Sequence, residues 1–162
     1  MQINFYNTKK EFLTKSFCQL VEKGFADYKQ TYVITNDLES VNMLDVVLWT
    51  YSRKKFLPHA RIIDPLPQRQ PILILSIAEL NQDLYGNIIL VNIGLEKLTS
   101  LLETFSKSSP IAEKISIIND ETVAISQQMF ADITRKFNLN ISVCKFFKQL
   151  SSAGWVIEDK IL

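Results

Sequence analysis

Residues 31–49 read TYVITNDLESVNMLDVVLW, and their period changes part-way along. Thr31–Thr35 has the composition of a strand. Asn36 and Glu39 then show the spacing of a capping box. Val41, Leu44 and Leu48 recur on one helical face, and this helix should run to about Trp49. The same order occurs just before. Gln2–Tyr6 reads as a strand, Thr8 and Glu11 repeat the capping-box spacing, and Leu13, Phe17, Leu20, Val21 and Tyr28 follow at helical intervals, mildly interrupted by Gly24. Two strand–helix units in succession predict a parallel sheet with right-handed crossovers.

Downstream, Pro71–Leu75 and Asn87–Val91 are continuous apolar runs, the signature of strands buried on both faces. The prolines of Asp64–Gln68 break regular structure ahead of them, and Asn81–Gly86 is a polar turn between them. Leu95, Leu98, Leu101, Leu102 and Phe105 mark another helix, and Lys114–Ile118 is the last strong strand. The closing forty or so residues are expected to be mainly helical. With no repeat and no linker, residues 1–162 should form one three-layer α/β domain. The expected architecture is Rossmann-like, with a mostly parallel sheet and helices on both faces.

At 162 residues and 18.7 kDa the chain can bury a core of ordinary size. Its 47% hydrophobic and 22% charged content argues against disorder. Eighteen Lys and Arg against seventeen Asp and Glu give a net charge of +1, a poor balance for coating nucleic acid through many phosphate contacts. Cys18 and Cys144 fit no metal spacing and suit a reduced compartment. Met1–Tyr6 is strand-like rather than a signal peptide, and no stretch approaches the ~20 apolar residues of a membrane span, so a soluble intracellular domain is expected.

The four glycines, Gly24, Gly86, Gly94 and Gly154, form neither G-x-G-x-x-G nor a P-loop. The turn Asn7-Thr8-Lys9-Lys10 after the first strand lacks the glycine that a dinucleotide requires. No cofactor is therefore expected, although a small nucleotide-binding enzyme is the alternative that the fold class itself suggests. His59 is the sole histidine and sits beside Pro58, which favours hydrogen bonding or an interface over catalysis. Asp37, Asp64 and Asp120 stand at element ends, where carboxylates cap helices and turns. No metal site is expected.

Two clusters look like binding surfaces. Trp49 with Phe56, Leu57 and Pro58 surrounds the basic run Arg53-Lys54-Lys55, and large aromatics in such loops serve as partner anchors or cover the core edge. In Lys145-Phe146-Phe147-Lys148-Gln149-Leu150, read as helix, Lys145 and Lys148 share a face beside Phe147. Ammonium groups next to an aromatic surface suit a short acidic peptide ending in an apolar residue.

These residues carry a resemblance. Asn4-Phe5-Tyr6, Leu48-Trp49 and Phe56-Leu57-Pro58-His59, with Pro71-Ile72 and Leu90-Val91-Asn92, look like the chi subunits of bacterial DNA polymerase III holoenzyme, best over residues 1–95. Phe147-Lys148 and Gly154-Trp155 reproduce the spacing of the family's C-terminal helix, while Cys144 and Ser151 stand where it has arginines. Phe130 and Phe137 could be placed there instead, but without the lysine and the glycine.

The resemblance implies a non-catalytic adaptor that binds no nucleotide and meets DNA only indirectly. It would tether the clamp loader to single-stranded DNA-binding protein by that protein's acidic C-terminal tail. Lys145 and Lys148 would face the tail's carboxylates, with Ser151 and Gly154 beside them, and Phe147, Trp155 and Ile157 would line the pocket for its terminal phenylalanine. Trp49, Phe56, Leu57, Pro58 and His59 would face the psi subunit or a competing helicase. On this reading Lys148→Ala should weaken tail binding, and Lys9→Ala, on an unrelated helix, should not.

Overall fold

The computed structural model describes residues 2–27, 30–81, 84–107, 112–137, 141–151 and 154–158. Eight strands form one sheet: β1 (Gln2–Asn7), β2 (Thr31–Thr35), β3 (His59–Arg61), β4 (Ile72–Ser76), β5 (Asn87–Val91), β6 (Lys114–Asn119), β7 (Val143–Ser151) and β8 (Gly154–Glu158). Their spatial order is β3-β4-β2-β5-β6-β1-β7-β8, and every pairing is parallel except β7 with β8. The helices are α1 (Lys10–Ala26), α2 (Leu38–Thr50), α3 (Leu95–Lys107) and α4 (Gln127–Phe137). The expected three-layer, mostly parallel α/β fold is what the chain adopts.

The continuous apolar runs are explained by two cores, one on each face of the sheet. Ile72 and Ile74 of β4, with Ile89 and Val91 of β5, point to a core shared with Phe17 and Val21 of α1 and Leu44 and Leu48 of α2. The intervening Leu73, Leu75, Ile88 and Leu90 point the other way, to Leu98, Leu102 and Phe105 of α3 and Phe130 of α4. Side chains alternate across a strand, so a strand covered on both sides must be apolar at every position. Gly24 of α1 is buried against β2, and a Cβ there would lie 2.8 Å from Thr31 Oγ1, so the close approach suits glycine.

Both helix starts differ from the capping boxes expected. Helix α1 begins at Lys10 behind Lys9, which makes no side-chain cap, and the Thr8 hydroxyl turns to the buried Gln149 of β7 instead. Helix α2 is capped by Asp37, whose carboxylate accepts from Ser40 N at 2.8 Å. The Asn36 amide is committed elsewhere, donating to Asn92 O at 2.6 Å. In each case the expected capping side chain bonds instead to a residue on or just after another strand, and at α2 the next residue supplies the cap.

The larger correction concerns the end of the chain. Only α4 is helical there among the described residues, and Val143–Ser151 and Gly154–Glu158 pair as the antiparallel β7–β8 hairpin. Strand β7 runs parallel to β1, from Gln2 opposite Val143 to Asn7 opposite Lys148. It covers an edge that would otherwise expose β1, and Phe146 stacks on Phe5 at 4.6 Å in the α3–α4 core. Short apolar runs do not separate helix from strand by period alone, and here the available ladder decides.

Candidate functional site

The hairpin divides the sequence-derived tail-binding residues between two faces. A strand sends residues three apart to opposite sides, so Lys145 and Lys148 do not share a face as a helix would require. Lys145 and Phe147 lie on the α1 side, with Trp155 and Ile157, the ladder partners of Gln149 and Phe147. Phe147 stacks on Tyr6 at 4.7 Å and 8°, and Trp155 meets Tyr6 edge-on at 5.3 Å. Ile157, at the open edge of the sheet, is 56% exposed. Burial raises the Tyr6 phenol above its ordinary pKa, which keeps it neutral in this apolar wall. Gly154 pairs with Ser151 beyond a register shift. Tyr6, which the sequence offers as a strand residue and as part of Asn4-Phe5-Tyr6 but not as a binding residue, completes the wall; its contact depends on the β1–β7 register.

Lys148 points to the other side, into a crevice at the carboxyl ends of β1 and β7. Lys9 lines the same crevice. The expectation that Lys9 belongs to an unrelated helix is thereby corrected: it precedes α1, but β1 delivers it beside the end of β7.

The second cluster does assemble. Trp49, at the end of α2, lies 5.6 Å from Phe56 and 4.9 Å from the His59 ring. Trp49 is 59% and Phe56 64% exposed, and Val46, one turn back on α2, is exposed as well. Leu57 is buried beneath them and Pro58 is half-buried. His59 is buried on β3; its Nδ1 lies 2.6 Å from Leu57 O, and its Nε2 lies 3.4 Å from Asp45 Oδ1 without an aligned hydrogen bond to any described residue. Arg61 closes the margin, with Nη2 donating to Asp64 Oδ1 at 2.8 Å and Nη1 to Asn42 Oδ1 at 3.1 Å. The Arg61 side chain and its backbone N–H hold the Asp64 carboxyl below its usual pKa. The result is an exposed aromatic pair on a buried, hydrogen-bonded base.

Comparison with known proteins is decisive at the family level. The family model described as DNA polymerase III chi subunit, HolC, matches residues 1–139. The chain belongs to the DNA polymerase III chi-subunit family. A protein of Rickettsia prowazekii (strain Madrid E), named probable DNA polymerase III subunit chi, is 40% identical over 73 residues. That alignment covers 45% of this chain and 44% of the relative, so the chain spans under half the length of the curated relative it matches. The Trp49–Phe56 surface lies inside the family match, and the β7–β8 hairpin lies beyond it.

In this chi-family chain asparagine side chains cross-link the segments that follow β5 and β6. Asn92 adopts a left-handed conformation (φ 52°) and exchanges hydrogen bonds with Asp120 through its side chain. Asn119 ties Ile93 N, Ile93 O and Val123 O together. Burial would raise the Asp120 carboxyl, but hydrogen bonds from Thr122 and Asn92 outweigh it and hold the pKa low. The backbone N–H groups of Ile93 and Asp120 are thus engaged by asparagine side chains. Cys18 and Cys144 are free and buried, and burial pushes both thiols up to about 12. No helix among the described residues is long and apolar enough to cross a membrane.

Proposed function

We propose that this chain is a non-catalytic adaptor of the DNA polymerase III holoenzyme. It holds the acidic C-terminal tail of single-stranded DNA-binding protein and links it to the clamp loader in the cytoplasmic replisome. The observation that carries this reading is the wall of Tyr6, Phe147 and Trp155 at an open sheet edge, with Lys145 on the same side. Stacked rings offer an apolar seat for a terminal phenylalanine, and an ammonium group beside them suits a carboxylate. Family membership supports the setting. Trp49 and Phe56, with Leu57, Pro58 and His59 as their base, form the second docking face, for a psi-like subunit or a helicase.

A labelled peptide ending in Asp-Ile-Pro-Phe tests the first contact. Micromolar binding, about −8 kcal/mol, should disappear when the final phenylalanine is removed and fall sharply in Phe147→Ala. No binding at low salt would overturn the reading. For the second face, Trp49→Ala with Phe56→Ala should abolish capture of the psi-like partner and leave peptide binding unchanged.

A further inference from the structure

At the carboxyl ends of β1, β6 and β7 the sheet opens into a crevice of about 430 Å³. Helix α1 leaves β1 over one face of the sheet and α4 follows β6 over the other. Such divergence points are where open α/β sheets take their ligands. Lys9 and Lys148 line the crevice from different elements, and Met129 of α4 adds an apolar wall. Glu121 enters from the loop after β6, and its Oε2 accepts from Lys10 N at 2.7 Å. A carboxylate of the chain itself therefore already sits at the start of the seventeen-residue helix α1, where the helix dipole favours negative charge.

Glu121 is exposed, so an external carboxylate can replace it without disturbing the core. The neighbouring Asp120 is different: it is buried and held by Asn92 and Thr122, which fixes where the Glu121 side chain starts. Glu158 of β8 also lines the crevice, so among the described residues two lysines face two glutamates. Displacing Glu121 tips that balance toward an incoming anion.

We infer that this crevice is the carboxylate subsite for an acidic peptide. Lys9 is a specificity-determining partner of Lys148 there, and Glu121 is an internal carboxylate that competes with the ligand. The inference rests on the tail-binding reading above and adds a residue and a regulatory contact to it.

Anisotropy titrations of the labelled Asp-Ile-Pro-Phe peptide at low salt, with a thermal melt of every variant, test it. Lys9→Ala should weaken binding about three- to fivefold, the scale of an exposed charge pair. Lys9→Arg should restore it, and Glu121→Gln should tighten it by a similar factor. Lys9→Ala binding like the wild type, or Glu121→Gln binding no more tightly, overturns the inference while leaving tail binding intact. Loss in both Lys9 variants together with a lowered Tm assigns Lys9 to the start of α1 and also overturns it. A wild type that does not bind the peptide overturns the tail-binding reading, and this inference with it.

Discussion

Asp120 concentrates much of the polar order behind the strand ends. It is buried, it accepts from Thr122 N at 2.9 Å and from Asn92 Nδ2 at 3.0 Å, and its pKa is held low. Replacing it with alanine leaves the Asn92 amide without its acceptor, and urea unfolding should show a loss of about 1–3 kcal/mol. A group with a depressed native pKa stabilises the fold above its unfolded value, near 3.9, and loses that contribution as pH falls through the native one. Wild-type stability should therefore drop below about pH 4, and the drop should be shallower in Asp120→Ala. At the surface the expectation reverses. Phe56, exposed beside Trp49, should be replaceable by alanine with a change within about 0.5 kcal/mol in stability, because its ring covers a surface rather than filling the core.

The hairpin is the element on which the account depends most. Phe146 lies between Phe5, stacked at 4.6 Å, and Phe130, edge-on at 6.1 Å. If β7 is the strand described, Phe146→Ala removes a buried ring from the larger core and should cost about 3–5 kcal/mol in a denaturant titration. A peripheral helix would lose far less. Gly86 gives a second test at the entry to β5: its φ is +85°, and a Cβ would lie 2.7 Å from Gln30 O. Gly86→Ala should cost at least about 1 kcal/mol from backbone strain alone, read as a lowered Tm.

Legibility at this scale followed burial. Strands β2 and β5 were readable because both faces are covered and every residue is apolar or compact; their sequence limits coincide with the observed ones. The three-residue β3 and the β7–β8 hairpin were not, because their strand character comes from ladders to β4 and β1 rather than from a period of their own. The same cause divided the proposed binding residues. Trp49, Phe56, Leu57, Pro58 and His59 are close in sequence as well as in space, so their cluster was visible beforehand. The Tyr6–Phe147–Trp155 wall joins the two ends of the chain, and Lys9 reaches Lys148 only through the β1–β7 register.

At the scale of the molecule, two aromatic surfaces stand at opposite margins of one sheet. Trp49 and Phe56 lie beside the β3 edge, and Phe147, Trp155 and Ile157 lie at the β8 edge. On the proposed function, this separation would let the chain join two partners at once. The net charge of +1 supplies no general attraction for DNA, so oligonucleotides should not bind measurably at physiological salt without a protein partner. Peptide binding, in contrast, should weaken as salt rises, because its charged contacts are exposed to screening.

The most direct measurement is an amide chemical-shift map of the labelled protein titrated with the Asp-Ile-Pro-Phe peptide. Shifts are expected to centre on Tyr6, Phe147, Trp155 and Ile157, with Trp49 and Phe56 unmoved. Shifts confined to the Trp49–Phe56 face, or none at low salt, would contradict the tail-binding reading.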